Sequence, residues 1–426
     1  MKDTGKIVGE ALTFEDTIIV PGFSPVEPSQ VDLHSSPARG ITINVPVVSS
    51  PMDTVTGWRL AVRLAQLGAV GVIHRNMSVE EEVAHVRRVK EAPQEPFHPY
   101  ETAREGVRIS GPVKPTVITD TTGRPAGILL PLGSGPHTFL LEDAEYTARL
   151  VQAGVRPSLD GMGRLLVGAA VSPFHAERAV ALERAGADFL VTDVAHLHNA
   201  NAVRALQDMA RRVGIPVVAG NIGTREAALD IASKVEAIGG FRVGISSGSI
   251  CSTGVVAGAS MPTLQAVLNV RSALEELGLA GEIPIMADGG VRGPGDAAKA
   301  VIAGASTVMG GRLFAGVEES LGRKVRVGSR LYKTYRGMAS RGAMEERYAS
   351  DRYSKPSKQL EEGVEGLVPY SGPASKVVAH MYFGLQAALG YSGAGSIREA
   401  WENGLLARIT PTGRGEVNPH DIILSP

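Results

Sequence analysis

One cysteine in 426 residues leaves no partner for an internal disulfide. Charge of either sign is not in excess: 43 basic residues meet 44 acidic ones, a formal net charge of -1. This removes the electrostatic footprint expected of a protein that binds nucleic acid or an anionic membrane. Small molecules and copies of the chain itself are the expected partners. No apolar run approaches the roughly 18 residues of a spanning helix. The opening stretch MKDTGKIVGEALTFED also lacks the apolar core of a signal peptide, so a cytoplasmic location is expected. Aromatics are only 5% of the chain, whereas 51 residues are glycine. That balance favours tight loops and backbone-lined sites over an aromatic-rich binding face. The length implies one large domain with an insertion, or two to three domains.

What is present is a rhythm. From Leu165 onward the runs LLVGAAV, DFLVTD, IPVVAGN, FRVGIS, IPIMADGG and STVMGG alternate with helical stretches, and VPVVSSPMD and AVGVIH precede them. Short apolar strands that end in Gly, Asn or Asp and lead into amphipathic helices indicate βα units. Eight such units fit an α/β fold, the (β/α)8 barrel, whose catalytic face is formed by the residues just after each strand. Ser50, Met52, Asp193, Asn221, Ser249, Cys251, Asp288, Gly290 and Gly311 should therefore surround one pocket. The rhythm breaks over 93–163, where two β-rich runs flank the polar turn DTTGRP and predict a hairpin. It weakens again over 341–372, a polar stretch with Pro and Gly that reads as a mobile flap.

Three groups of residues are candidates for chemistry. Most free cysteines are small core hydrophobes, but Cys251 lies in GSICST, a Gly/Ser-rich loop at the catalytic end, where amides and a hydroxyl favour a thiolate. Thr253, two residues on, is either a turn-former or a group that orients the sulfur or activates water. The segments ADGGVRGPGDAAKA and MGGRLFAG follow consecutive late strands, and the first opens a helix, an arrangement that suits a phosphorylated ligand with Asp288 placed for its ribose. Inside the flap, DRYSK carries Arg352 and Tyr353, by default solvated and conceivably a base over the thiol. His196 and His198 follow Asp193 without the Cys or Glu company of a zinc site.

With these residues the chain resembles the family of inosine-5'-monophosphate dehydrogenase and GMP reductase, through ALTFEDTIIVP, VPVVSSPMDTVT, GVIHRNMS, RVGISSGSICST, PIMADGGVRGPGDAAKAVIAGAS, VMGGRLFAG, YRGMASRGAMEE, DRY, EEGVEGLVPY and NPHDI. The resemblance implies a homotetramer of barrels, each built from 1–92 and 164–426. It implies Cys251 as the nucleophile toward C2 of IMP, with hydride passing to NAD. Asp193, Asn221 and Arg242 would stand on the nicotinamide side. Ser249, Gly290, Gly311 and Tyr335 would hold phosphate together with Arg312, Asp288 the ribose, and Ser50, Met52, Met338 and Glu362 the base. Arg352 and Tyr353, assisted by Thr253, would deprotonate the hydrolytic water. A potassium ion would be held by Ser246, Gly248 and Cys251 of one chain and Glu416 of another.

The DRY segment, and Arg341 where the reductase carries Glu, favour the dehydrogenase over its sister. A GMP reductase, a paralogue acting on another purine nucleotide and an inactive nucleotide-binding paralogue remain as alternatives. The pattern also departs from the family: Ser246 and Ser247 replace Gly-Pro, Gly254 and Arg312 replace an Arg and a Ser, and Ala339 replaces a Gly. The 93–163 insertion is too short for the paired regulatory modules that relatives carry there, since a small domain needs about fifty residues. Nucleotide regulation through such a pair is therefore expected to be absent.

Overall fold

The computed structural model describes residues 6–97, 101–104, 116–122, 125–129, 138–236, 238–345 and 361–419. Eight parallel strands close into a barrel: β1 (Val47–Ser49), β2 (Val70–Ile73), β3 (Gly168–Val171), β4 (Phe189–Thr192), β5 (Val217–Ile222), β6 (Gly240–Val243), β7 (Ile285–Asp288) and β8 (Thr307–Gly310). They follow in chain order, and β8 returns to β1 in the register Gly310↔Ser49. These are the eight runs expected from the sequence.

The strands read as continuous apolar runs because both of their faces are buried. Val48, Val70, Val72, Phe189, Val191, Met286 and Met309 fill the barrel interior. Their neighbours Val47, Ile73, Leu190, Ile285, Ala287 and Val308 face the helical layer outside, so the period of two sorts each strand between two cores. The helix Trp58–Gln66 presents Leu60, Ala61, Leu64 and Ala65 to that outer core. The helix Val79–Lys90 begins with a capping box in which Ser78 and Glu81 satisfy each other's backbone N–H groups.

Thr116–Thr119 and Pro125–Leu129 pair antiparallel, the hairpin expected about DTTGRP, and Glu101–Arg104 adds a parallel third strand. The helix Thr138–Gln152 is tied to Trp58–Gln66 by a buried ion pair, Arg63 Nη2 to Asp143 Oδ1 at 2.7 Å. Lys90 spans the same stretch of chain: its Nζ lies 3.1 Å from Asp160 and 2.6 Å from Asp188, and it donates to the Leu165 carbonyl at 2.9 Å. Beyond β8, Lys324–Val327, Arg330–Arg336 and Glu365–Pro369 form an antiparallel sheet. The last of these strands and the short helix Arg341–Glu345 stand at the two ends of the 341–372 stretch. Among the described residues no helix is long and apolar enough to cross a membrane.

Candidate active site

A cavity of about 370 Å³ opens at the C-terminal ends of the barrel strands. It gathers Ser50, Met52, Asp193, Asn221, Arg242, Ser246, Gly248, Ser249, Cys251, Thr253, Asp288, Gly290, Gly311, Arg312, Tyr335, Met338 and Glu362. Those from Ser50 to Arg312 meet because every barrel strand ends on this face, whereas Tyr335, Met338 and Glu362 are brought in by the antiparallel sheet beyond β8 and the chain next to it. Glu416, expected from a neighbouring chain, lies outside the cavity on the helix Pro411–Glu416 and is exposed. Arg352 and Tyr353 lie outside the described residues.

Cys251 is exposed to the cavity on the loop after β6. Its Sγ stands 3.3 Å from Thr253 Oγ1, and Thr253 Oγ1 donates to Glu362 Oε2 at 2.9 Å. Glu362 is brought there by a backbone lacing: Ser252 N donates to Glu362 O at 3.0 Å, Val364 N to Ile250 O at 3.0 Å, and Glu362 N to Ala339 O at 3.1 Å. Sulfur, hydroxyl and carboxylate thus form one hydrogen-bonded line along which a proton can pass.

The serines that replace Gly-Pro hold this loop by their side chains. Ser246 adopts a left-handed conformation (φ 59°), its Oγ accepts the Gly254 N–H at 2.7 Å, and it lies 3.5 Å from Cys251 Sγ. Ser247 Oγ donates to the Asp288 carbonyl at 3.0 Å and accepts from Thr263 Oγ1 at 2.7 Å. Gly289, at φ +91°, crosses beneath the loop, and a Cβ there would come 2.5 Å from Ser247 Oγ. Only glycine combines that backbone angle with that approach.

On the opposite wall two carboxylates share two arginines. Arg242 donates through Nε and Nη2 to Asp288 Oδ2, each at 2.8 Å, and Asn221 Nδ2 donates to the same oxygen at 2.9 Å. Among the described residues Asp288 is therefore engaged by side chains through Oδ2. Arg242 Nη1 is buried, makes no hydrogen bond among the described residues, and lies 3.6 Å from Asp193 Oδ1. A buried donor of this kind invites an acceptor on a ligand. Asp193 is itself 1% exposed and is held by Arg75, whose Nε lies 3.1 Å from Oδ2 and whose Nη2 donates to the Asp193 carbonyl at 3.0 Å.

Arg75 was not singled out from the sequence. Its signal was its place directly after β2, in the GVIHRN segment that leads into the catalytic face. Beneath it, Arg178 donates to the Arg75 carbonyl at 3.0 Å and pairs with the fully buried Glu82 at 3.2 Å. Burial pushes the Glu82 carboxyl well above its usual range, with Arg178 and Arg75 opposing. Charges inside a helical segment look like surface until the tertiary structure covers them.

Gly290 and Gly311 leave backbone exposed to the cavity. A Cβ on Gly311 would lie 2.8 Å from Tyr335 Oη and 2.9 Å from Met52 Sδ. Tyr335 hydrogen-bonds to Ser249, and burial pushes its hydroxyl up to about 12, so it stays a neutral donor. His198 pairs with Asp230 at 3.3 Å, and no group of His, Cys, Asp and Glu suited to a metal occurs among the described residues.

Residues 11–420 match the model of the IMP dehydrogenase / GMP reductase domain. Curated relatives named inosine-5'-monophosphate dehydrogenase include that of Korarchaeum cryptofilum, 40% identical over 97% of both chains. The one from Thermoplasma acidophilum is 39% identical over 98% of this chain and 96% of its own. That of Aquifex aeolicus is 35% identical over 99% and 98%.

Proposed function

This chain belongs to the IMP dehydrogenase / GMP reductase family, and from that premise we propose that it oxidises inosine 5'-monophosphate to xanthosine 5'-monophosphate with NAD in guanine nucleotide synthesis. The observation that carries the reading is the Cys251–Thr253–Glu362 line at the mouth of the strand-end cavity. Seated with its phosphate toward Ser249, Gly290, Gly311, Arg312 and Tyr335 and its ribose on Asp288, the nucleotide extends its base toward Ser50, Met52, Met338 and Glu362. C2 then faces the Cys251 sulfur.

NAD, when bound beside Asp193, Asn221 and Arg242, would supply the hydride acceptor. The Cys251 thiolate forms the S–C2 bond and the hydride leaves C2 with its electron pair, so an oxidised purine remains on the sulfur. Water then adds to C2, its proton passes through Thr253 Oγ1 to Glu362, and the S–C2 bond breaks to return the thiolate. Arg352 and Tyr353 belong to this reading as a second base for the water. Asp193, Asn221 and Arg242 suit the nicotinamide side, because Arg242 Nη1 is a buried donor awaiting an acceptor such as a carboxamide oxygen.

The carbonyls of Ser246, Gly248 and Cys251 are hard neutral oxygens on one tight loop, a donor set that fits a potassium ion. The Gly248 carbonyl already accepts the Cys251 N–H at 3.1 Å but retains a second lone pair. A partner's Glu416 in a cytoplasmic homotetramer completes this part of the proposal, and the 93–163 segment is read as an insertion between 1–92 and 164–426, with a flap over 341–372. The test is reduced-nicotinamide absorbance with IMP, NAD and potassium, beside GMP with NADPH and a Cys251→Ala control. A rise with IMP that the control lacks supports the proposal; consumption of NADPH with GMP alone overturns it.

A further inference from the structure

A second cavity, of about 840 Å³, lies against the phosphate end of the first and shares Ser249, Val291, Arg292 and Arg312 with it. Its remaining wall carries Arg149 and Lys376 and no carboxylate among the described lining residues. Two of these cations carry carboxylate partners: Glu142 lies 3.4 Å from Lys376, Asp296 lies 3.0 Å from Arg292, and Glu15 also pairs with Arg292. Arg149 is held over the rings of Tyr146 and Phe383, 5.6 and 5.3 Å from their centroids, which fixes its guanidinium without neutralising it. Arg149 and Arg312 thus line, without a carboxylate partner among the described residues, a space that begins where the first phosphate of a bound nucleotide ends, beside the paired Lys376 and Arg292. Arg312 stands on the shared wall.

We propose that this second cavity is a subsite for the further phosphates of a purine nucleotide seated in the first, so that the chain binds nucleoside 5'-diphosphates and triphosphates in competition with the monophosphate. The inference rests on the phosphate placement proposed above. Guanidinium groups bind phosphate oxygens in paired, charge-assisted hydrogen bonds, and each added phosphate brings further negative charge to the arginines and Lys376. The cavity volume is within the range of pockets that enclose small-molecule groups. A nucleotide bound in this way blocks the approach of substrate without any paired regulatory module.

Calorimetric titration of the whole protein without nicotinamide cofactor tests the proposal, with IMP, inosine 5'-diphosphate and pyrophosphate as probes. Inosine diphosphate should bind about tenfold more tightly than IMP or better, at one site per chain, and each should exclude the other. The double variant Arg149→Ala/Lys376→Ala should bring the diphosphate to parity with IMP while leaving kcat and KM for IMP unchanged. These two residues line only the second cavity, so unchanged turnover also shows that the variant is folded. Diphosphate binding no tighter than IMP, or tight binding that survives the double substitution, overturns the proposal. Pyrophosphate binding to IMP-saturated protein overturns it too, because the cavity would then be an independent anion site. Failure of IMP itself to bind would refute the underlying placement.

Discussion

Thr253→Val separates the two halves of the reaction. Valine keeps the β-branched shape of threonine at the first position of the short helix Thr253–Val256 and puts a methyl group where the hydroxyl was. Two interactions go with it: the 2.9 Å donation to the Glu362 carboxylate and the 3.3 Å contact with the Cys251 sulfur. A hydrogen bond to a charged group contributes about 1.5–3 kcal/mol and a contact with sulfur about 0.5–1 kcal/mol. Hydrolysis uses both, because the proton of the attacking water must cross the hydroxyl to the carboxylate. Its barrier should rise by roughly 2–4 kcal/mol, or about 30- to 1000-fold in rate. Hydride transfer uses only the sulfur contact and should slow by about 2- to 5-fold. Hydrolysis then limits turnover, and stopped-flow mixing should show a burst of reduced nicotinamide close to one per active site, with the purine trapped on Cys251. A variant whose kcat stays within about twofold of the parent, with no burst, refutes the relay. In that case the water is deprotonated without Thr253, and Arg352 and Tyr353 are left as the base.

Three further outcomes follow from the same geometry. Burial above all, with the nearby positive charge of Arg178 and Arg336, brings the His74 imidazole down to about 4 against the pull of Asp53. The unfolded chain therefore binds this proton first: stability is full above pH 6.5 and falls toward pH 4 by on the order of 3 kcal/mol, and His74→Gln should flatten urea-unfolding free energies across that window. Lys90→Met leaves Asp160 with Arg164 but Asp188 with only the Val167 N–H, and should cost about 3 kcal/mol in chemical denaturation. Gly311→Ala puts a methyl group within 3 Å of Tyr335 Oη and Met52 Sδ on a backbone (φ -85°) that alanine tolerates. It should raise KM for IMP by about tenfold or more while the unfolding midpoint stays near that of the parent.

The barrel was legible because its signal is local and repeated. Eight apolar runs, each closed by a polar residue or glycine and followed by a helix, determine both the strands and the end on which their functional residues emerge. Cys251, Asp288, Gly290 and Gly311 could therefore be grouped in one pocket before any distance was known. The hairpin about DTTGRP was legible for the same reason, since its turn chemistry is contiguous. What only the tertiary structure decided are pairings between distant segments and the burial that gives them meaning. Arg75 on Asp193, Arg178 on Glu82 and Lys90 between Asp160 and Asp188 are ordinary charges in the sequence, and become structural only when neighbouring elements exclude water around them. Glu362 lies 109 positions from Thr253 and meets it because the 361–364 segment is laced to the cysteine loop. The second cationic cavity is likewise invisible in a chain of net charge -1, because net charge sums over the whole sequence, whereas a ligand responds to the few charges that folding brings to one wall.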